Sequence, residues 1–167
     1  MQSVRRIRSD EGPTLKATRL AALADAPGES TTTLARSQAH GDDHWATSAL
    51  ANSSGPLQAT FFAESDEPER TEPIGLIGAY ANRGGVVNLV GLWSAPGYRD
   101  IGVATALIGA VAAWARGNGD RRLRLWVVER NEYARRFYEG EGFVATGAAM
   151  PYEPDPRINQ VEMVLQL

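Results

Sequence analysis

The stretch that decides the fold is VVNLVGLWSAPGYRDIGVATALIGAVAAWARGNG, residues 86–119. It opens as a strand: Val86 to Ser94 is mostly apolar, and Pro96-Gly97 breaks the run. It closes as a helix. Val103, Leu107, Ala110, Val111 and Trp114 recur at helical spacing, and Gly117-Asn118-Gly119 ends the pattern. Between the two lies Arg99-Asp100-Ile101-Gly102-Val103-Ala104. A helix start carries unpaired N–H groups and the positive end of the helix dipole, so an anion binds there readily. Gly102 has no Cβ, which lets a phosphate approach the backbone closely. Ala104 and Thr105 keep the first turn narrow, Thr105 offers a hydroxyl donor, and Arg99 supplies charge at the rim. Neither GxxxxGK[ST] nor a GxGxxG following a strand is present, so a P-loop nucleotidase and a dinucleotide-binding fold are both unsupported.

Working outward, the chain before this stretch reads as a strand at Val4–Arg8 and a helix from Pro13 to about Asp25. A loop is expected over 26–33 and a second helical stretch within 34–51. Strands follow at Leu57–Glu64 and Ile74–Asn82, the latter joined to Val86–Ser94 by the tight turn Asn82-Arg83-Gly84-Gly85. After it come an apolar strand at Leu123–Val128, a short helix carrying Ala134, Phe137 and Tyr138, a strand from Phe143, and a last one alternating through Val161, Met163, Leu165 and Leu167. The order βααβββαβαββ belongs to a layered α/β fold in a single domain spanning 1–167.

A second motif follows the strand at 123–128. In Glu129-Arg130-Asn131-Glu132-Tyr133-Ala134-Arg135-Arg136-Phe137-Tyr138, Asn131 is placed to cap the helix or to bind an amide-containing ligand. Tyr138 lies two turns further on, nearly on the same face, where its phenol can donate a proton. Together, strand–Pro96-x-Tyr98-Arg99-x-x-Gly102-x-Ala104–helix and strand–Asn131-x-x-Ala134-x-x-Phe137-Tyr138-x-x-x-Gly142-Phe143 resemble the GNAT superfamily of acetyl-coenzyme A-dependent N-acetyltransferases. The match covers roughly residues 86–145.

The resemblance implies a mixed, mostly antiparallel sheet of about six or seven strands flanked by about four helices. It implies acetyl-coenzyme A as cosubstrate and transfer of its acetyl group to a primary amine by direct attack in a ternary complex. The backbone of Ile101 to Ala104, with Arg99, Asp100 and Thr105 around it, would hold the pyrophosphate. Leu92, Trp93 and Ser94 would pair with the pantetheine amides, one N–H polarising the acetyl carbonyl. Asn131 and Ala134 would contact the pantetheine arm, and Tyr138 would be the general acid for the departing thiolate. Two positions depart from the family pattern. Asp100 stands where a basic residue or glycine is usual, which is unfavourable beside phosphates unless it faces solvent or pairs with Arg99. Ala104 stands where glycine is usual. The alternative reading is a non-catalytic acyl-coenzyme A-binding or regulatory module of the same fold.

The general base is open. The strand before the cradle offers Asn88 and Gly91 rather than an acid, and Glu129 at the end of the next strand is the tentative base. His44, Trp45, Tyr80, Asn88 and Tyr152 are the tentative acceptor-binding residues. His40 and His44 share a helical face at their spacing, but Gly41 weakens the helix, and no metal is expected.

Composition narrows the partners. With no cysteine, disulfides, thiolate metal sites and a cysteinyl acyl-enzyme are excluded. A net charge of −3 gives no argument for nucleic acid from global charge, and none is expected as a partner. The start MQSVRRIRSDEGP lacks the apolar core of a signal peptide, and no apolar run approaches the ~20 residues that span a bilayer. The expectation is a cytoplasmic monomer or homodimer acting on a small-molecule or peptide amine.

Overall fold

The computed structural model describes residues 2–29 and 32–167. One seven-stranded sheet runs through it: β1 (Gln2–Arg6), β2 (Gln58–Ser65), β3 (Gly75–Asn82), β4 (Val86–Ser94), β5 (Arg122–Val128), β6 (Val144–Tyr152) and β7 (Asp155–Gln166), in the order β1-β2-β3-β4-β5-β7-β6. Every neighbouring pair is antiparallel except β4 with β5. The parallel pair is the one that needs a crossover, and the amphipathic helix of the opening stretch supplies it. Both expected hairpin glycines of the β3–β4 turn, Gly84 and Gly85, take positive φ (83° and 77°), the backbone that closes a twisted hairpin.

Among the described residues five helices flank the sheet, one more than expected: α1 (Gly12–Asp25), α2 (Leu34–Gln38), α3 (Asp42–Ser53), α4 (Val103–Gly117) and α5 (Glu132–Gly140). The helical stretch expected within 34–51 is thus two helices. Thr33 caps α2 by accepting from Arg36 N–H (3.2 Å). Gly41 then interrupts in extended backbone, and Asp42 and Asp43 open α3 favourably against its dipole. The loop expected over 26–33 holds a single 3₁₀ turn at Pro27–Glu29, while Ser30 and Thr31 lie outside the described residues. The last strand begins at Asp155, earlier than its alternating apolar residues alone indicate, because it pairs with β6 through the turn after Tyr152.

Strand alternation divides the core into two layers. Phe61, Ile77, Val87, Leu89, Leu123, Leu125 and Met163 face α4, whose Val103, Leu107, Ile108 and Val111 are buried against them. The opposite face of the first strands buries Phe62, Leu76 and Trp93 against Leu15 and Ala22 of α1 and Trp45 and Ala49 of α3. At ~25 cal/mol per Å², fully burying each such side chain contributes about 1.5–3 kcal/mol. Among the described residues no helix is long and apolar enough to cross a membrane.

Candidate active site

The site begins where β4 and β5 part. Their parallel pairing runs only through Val86–Arg122, Val87–Leu123 and Asn88–Arg124. Beyond that point β4 pairs only with β3, and β5 only with β7. A bulge drives the separation: on β3 the register steps from Gly78 to Leu76, while on β4 it steps from Val90 to Trp93. Gly91 absorbs the extra residue at φ 64°, a conformation that glycine adopts without strain. The wedge leaves backbone edges of residues 89–94 and 125–128 facing each other without strand pairing.

Two cavities meet at this wedge. One, of about 830 Å³, runs along the cradle and is lined by Ser94, Arg99, Asp100, Gly102, Val103, Ala104, Thr105, Tyr133 and Phe137, with Asp25 and Gly28 across from them. That volume falls among small-molecule sites. The other is a chamber lined by Tyr80, Asn88, Val90, Gly91, Trp126, Asn131, Tyr152 and Gln160. Leu92, Ala134 and Tyr138 line both. Tyr138 therefore stands in the wall between the two, held by edge contacts to Phe137 and Phe143 (ring centroids 5.4 and 5.7 Å).

The cradle has the expected shape. Gly102 is the N-cap of α4 at φ 90° and no side chain caps the helix. The first helical bond is Ala106 N–H to Gly102 O (3.0 Å). The N–H groups of Val103, Ala104 and Thr105 consequently have no partner within the helix. Its charges are arranged differently from the sequence expectation. Arg99 pairs with Asp25, whose carboxylate also accepts from Trp93 Nε1 (2.9 Å), tying the end of α1 to the cradle. Asp100 sits in left-handed backbone at φ 61° and accepts from the Tyr133 hydroxyl (2.9 Å), so it is turned toward α5 rather than toward Arg99. That carboxylate pushes the Tyr133 phenol pKa up. The Thr105 hydroxyl donates to Glu141 at the end of α5 (2.5 Å).

Asn131 caps α5, its Oδ1 accepting from Ala134 N–H (3.1 Å), and also lines the chamber. Of the tentative acceptor residues, Tyr80, Asn88 and Tyr152 line the chamber. His44 and Trp45 do not. His44 stacks on His40 (centroids 3.7 Å, 8° between planes) at the surface, where partial burial and the neighbouring His40 push its pKa down. Trp45 is buried in the α1–α3 core. Glu129 is exposed and lines neither cavity; among the described residues its backbone, not its carboxylate, is engaged, with Asn159 and Arg135. Sequence reading missed Asp25 and Tyr133, whose partners are 74 and 33 residues away. It also missed Trp126 and Gln160, which alternation places on a sheet face without saying what that face borders. A glycine inside an apolar strand is a bulge signal, and Gly91 was legible on that ground.

The Acetyltransferase (GNAT) family model matches residues 21–143. The chain belongs to that family of acetyltransferases. Among solved structures it is similar to an acetyltransferase of the GNAT family from Streptococcus pneumoniae (20% identity, TM-score 0.80, covering 100% of this chain and 99% of that one). It is similar to yncA, a putative acetyltransferase from Salmonella typhimurium solved with its cofactor acetyl-CoA (15% identity, TM-score 0.75, 100% and 94% covered). It also resembles the paia N-acetyltransferase from Thermoplasma acidophilum solved in complex with coenzyme A (16% identity, TM-score 0.72, 97% and 98% covered). At these identities the likeness establishes the fold. A search of curated proteins found no match.

Proposed function

We propose that this protein transfers the acetyl group of acetyl-coenzyme A to a primary amine by direct attack in a ternary complex. The observation that carries the reading is a pair of adjoining cavities, one at the uncapped start of α4 and one beyond it, with Leu92, Ala134 and Tyr138 in the walls of both. One end suits a pyrophosphate and the other an acceptor, with a phenol between. Similar folds solved with coenzyme A and acetyl-CoA support the choice of donor.

In this reading the N–H groups of Val103, Ala104 and Thr105 hold the pyrophosphate. The edge of β4 at Leu92, Trp93 and Ser94, where Arg99 Nε donates to Ser94 O (3.2 Å), receives the pantetheine amides, and Asn131 and Ala134 flank the arm. A β4 N–H at the bulge polarises the acetyl carbonyl. The amine nitrogen bonds to the carbonyl carbon, the C–S bond breaks, and Tyr138 gives its proton to the sulfur. Arg99 is already engaged by Asp25, so backbone dipoles do most of the phosphate binding. The amine's own proton leaves through water, since Glu129 stands outside both cavities. We place the enzyme in the cytoplasm, metal-free, as a monomer or homodimer that engages neither nucleic acid nor membrane.

The test is a thiol-release assay with acetyl-coenzyme A over a panel of amines. Release with at least one amine is expected. No release with any, or no heat with acetyl-coenzyme A by titration calorimetry, overturns the reading.

A further inference from the structure

A chain of polar side chains crosses the sheet and ends in the wall of the chamber. Thr146 on β6 donates to Glu162 Oε1 on β7 (2.8 Å). The other oxygen of Glu162 faces Arg124 Nη1 on β5 (3.7 Å). Arg124 Nε donates to Asn88 Oδ1 on β4 (2.8 Å). Asn88 is 4% exposed and lines the chamber, and its Nδ2 has no hydrogen-bond partner among the described residues. A buried donor left unpaired is costly, and such groups call for a partner. A guanidinium has donors only. Arg124 therefore fixes which end of the carboxamide is oxygen, because turning it would set N–H against N–H. The atom of Asn88 left without a partner is thus a donor.

The rest of the wall agrees in charge. No carboxylate lines the chamber among the described residues; its polar members besides Asn88 are Tyr80, Asn131, Tyr138, Tyr152 and Gln160. Two guanidinium groups stand behind it. One is Arg124. The other is Arg19 of α1, which lies flat against Gly91: a Cβ on that glycine would stand 1.9 Å from Arg19 Nη1. Burial holds the Arg19 pKa below its usual value, as expected for a cation without a nearby carboxylate. A second ammonium on the acceptor meets no counter-charge here. Glu162 already meets the Arg124 charge, so an acyl oxygen meets the Asn88 N–H beside one cation, Arg19, that no carboxylate among the described residues offsets.

We infer that the acceptor is an amino-acid-like amine, one bearing a carbonyl or carboxylate oxygen close to its amino group, and that Asn88 is the donor that selects it over alkylamines and diamines. The inference rests on the acetyltransferase reading above. An unmet buried hydrogen bond discriminates strongly against a substrate that lacks the matching atom.

Thiol release is measured with alanine, alaninamide, propylamine and putrescine, and kcat/KM is compared as ratios. The native enzyme is expected to favour alanine or alaninamide over both others by about tenfold or more; the first two distinguish carboxylate from carbonyl. Asn88→Asp keeps an oxygen for Arg124 and replaces the donor with an acceptor, so the ratio is expected to swing toward putrescine. Arg124→Met releases the carboxamide to turn, and the ratio is expected to fall toward one. If Asn88→Asp fails to fold, Arg124→Met alone decides. A native preference for putrescine or propylamine, or ratios unchanged in the folded variants, overturns the inference while leaving the acetyltransferase reading intact. Absence of release with every amine removes that reading itself.

Discussion

Gly75 seats the helix that carries the cradle, and replacing it with alanine tests how the cradle is held. Gly75 is paired with Ser94 on β4 and faces α4. A Cβ there would lie 2.8 Å from Trp93 O, 2.8 Å from Val103 Cγ1 and 3.1 Å from Leu107 Cδ1. Val103 and Leu107 are 1% and 0% exposed, so neither side chain has room to retreat. The contact with Trp93 is to backbone and cannot be relieved by a rotamer. Adding a methyl group to a packed core typically costs about 1–3 kcal/mol, and alanine recovers part of this, about 0.5–1 kcal/mol, by its better backbone entropy in a strand. The backbone contact puts the gross cost near the top of its range, for a net loss of about 2 kcal/mol. In a domain of this size that is a fall in Tm of about 4–8 °C, read by thermal unfolding of Gly75→Ala. Val103 opens α4, so the same displacement moves the N–H groups of Val103, Ala104 and Thr105 and weakens coenzyme A binding by calorimetry. A fall in Tm below about 1 °C with unchanged coenzyme A affinity would refute the claim that this close approach sets the helix.

Three further outcomes follow from the same geometry. Tyr138→Phe keeps the ring packing against Phe137 and Phe143, so coenzyme A binding is retained while kcat falls by ~10²–10⁴-fold if chemistry limits; unchanged turnover removes Tyr138 from the acid role. Gly102→Ala meets nothing nearer than Gln2 Nε2 at 3.7 Å, so its cost is the left-handed backbone alone, about 1–2 kcal/mol, with weaker coenzyme A binding; full retention of both stability and affinity would contradict it. Glu11 is held below the usual carboxylate range, first by hydrogen bonds from Arg5 (2.7 and 2.8 Å). A depressed carboxylate pKa stabilises the fold above the unfolded-state value and loses that contribution as pH falls through the folded one. Urea unfolding should therefore show native stability dropping below about pH 4.5, with a shallower drop in Glu11→Gln; parallel pH profiles would be the contrary result.

Periodicity and turn chemistry made the layer order legible, because both are local. The run Val86–Ser94, the hairpin glycines and the α4 stripe carry their own geometry in residue spacing, and each element lies within a residue or two of expectation. Gly41 reads locally as weakening the second helical stretch, and the structure shows that it divides that stretch into two helices. The cradle was legible for the same reason, since a glycine at a helix start is a short-range feature. Its charge pattern was not. Whether Arg99 meets Asp100, one residue away, or Asp25, 74 residues away, depends on where α1 ends in space.

The sequence by itself therefore determined the elements, the family resemblance and the uncapped helix start proposed as the donor end, all written in neighbouring residues. Only the tertiary structure assembled the chamber proposed for the acceptor. The wedge exists because pairing between β4 and β5 stops after Asn88 and Arg124. Its wall draws Tyr80, Trp126, Tyr152 and Gln160 from four different strands. Asn88 reads as one polar residue in an apolar strand until Arg124, Glu162 and Thr146 are brought beside it in turn. Cross-strand register, not spacing along the chain, brings those residues together.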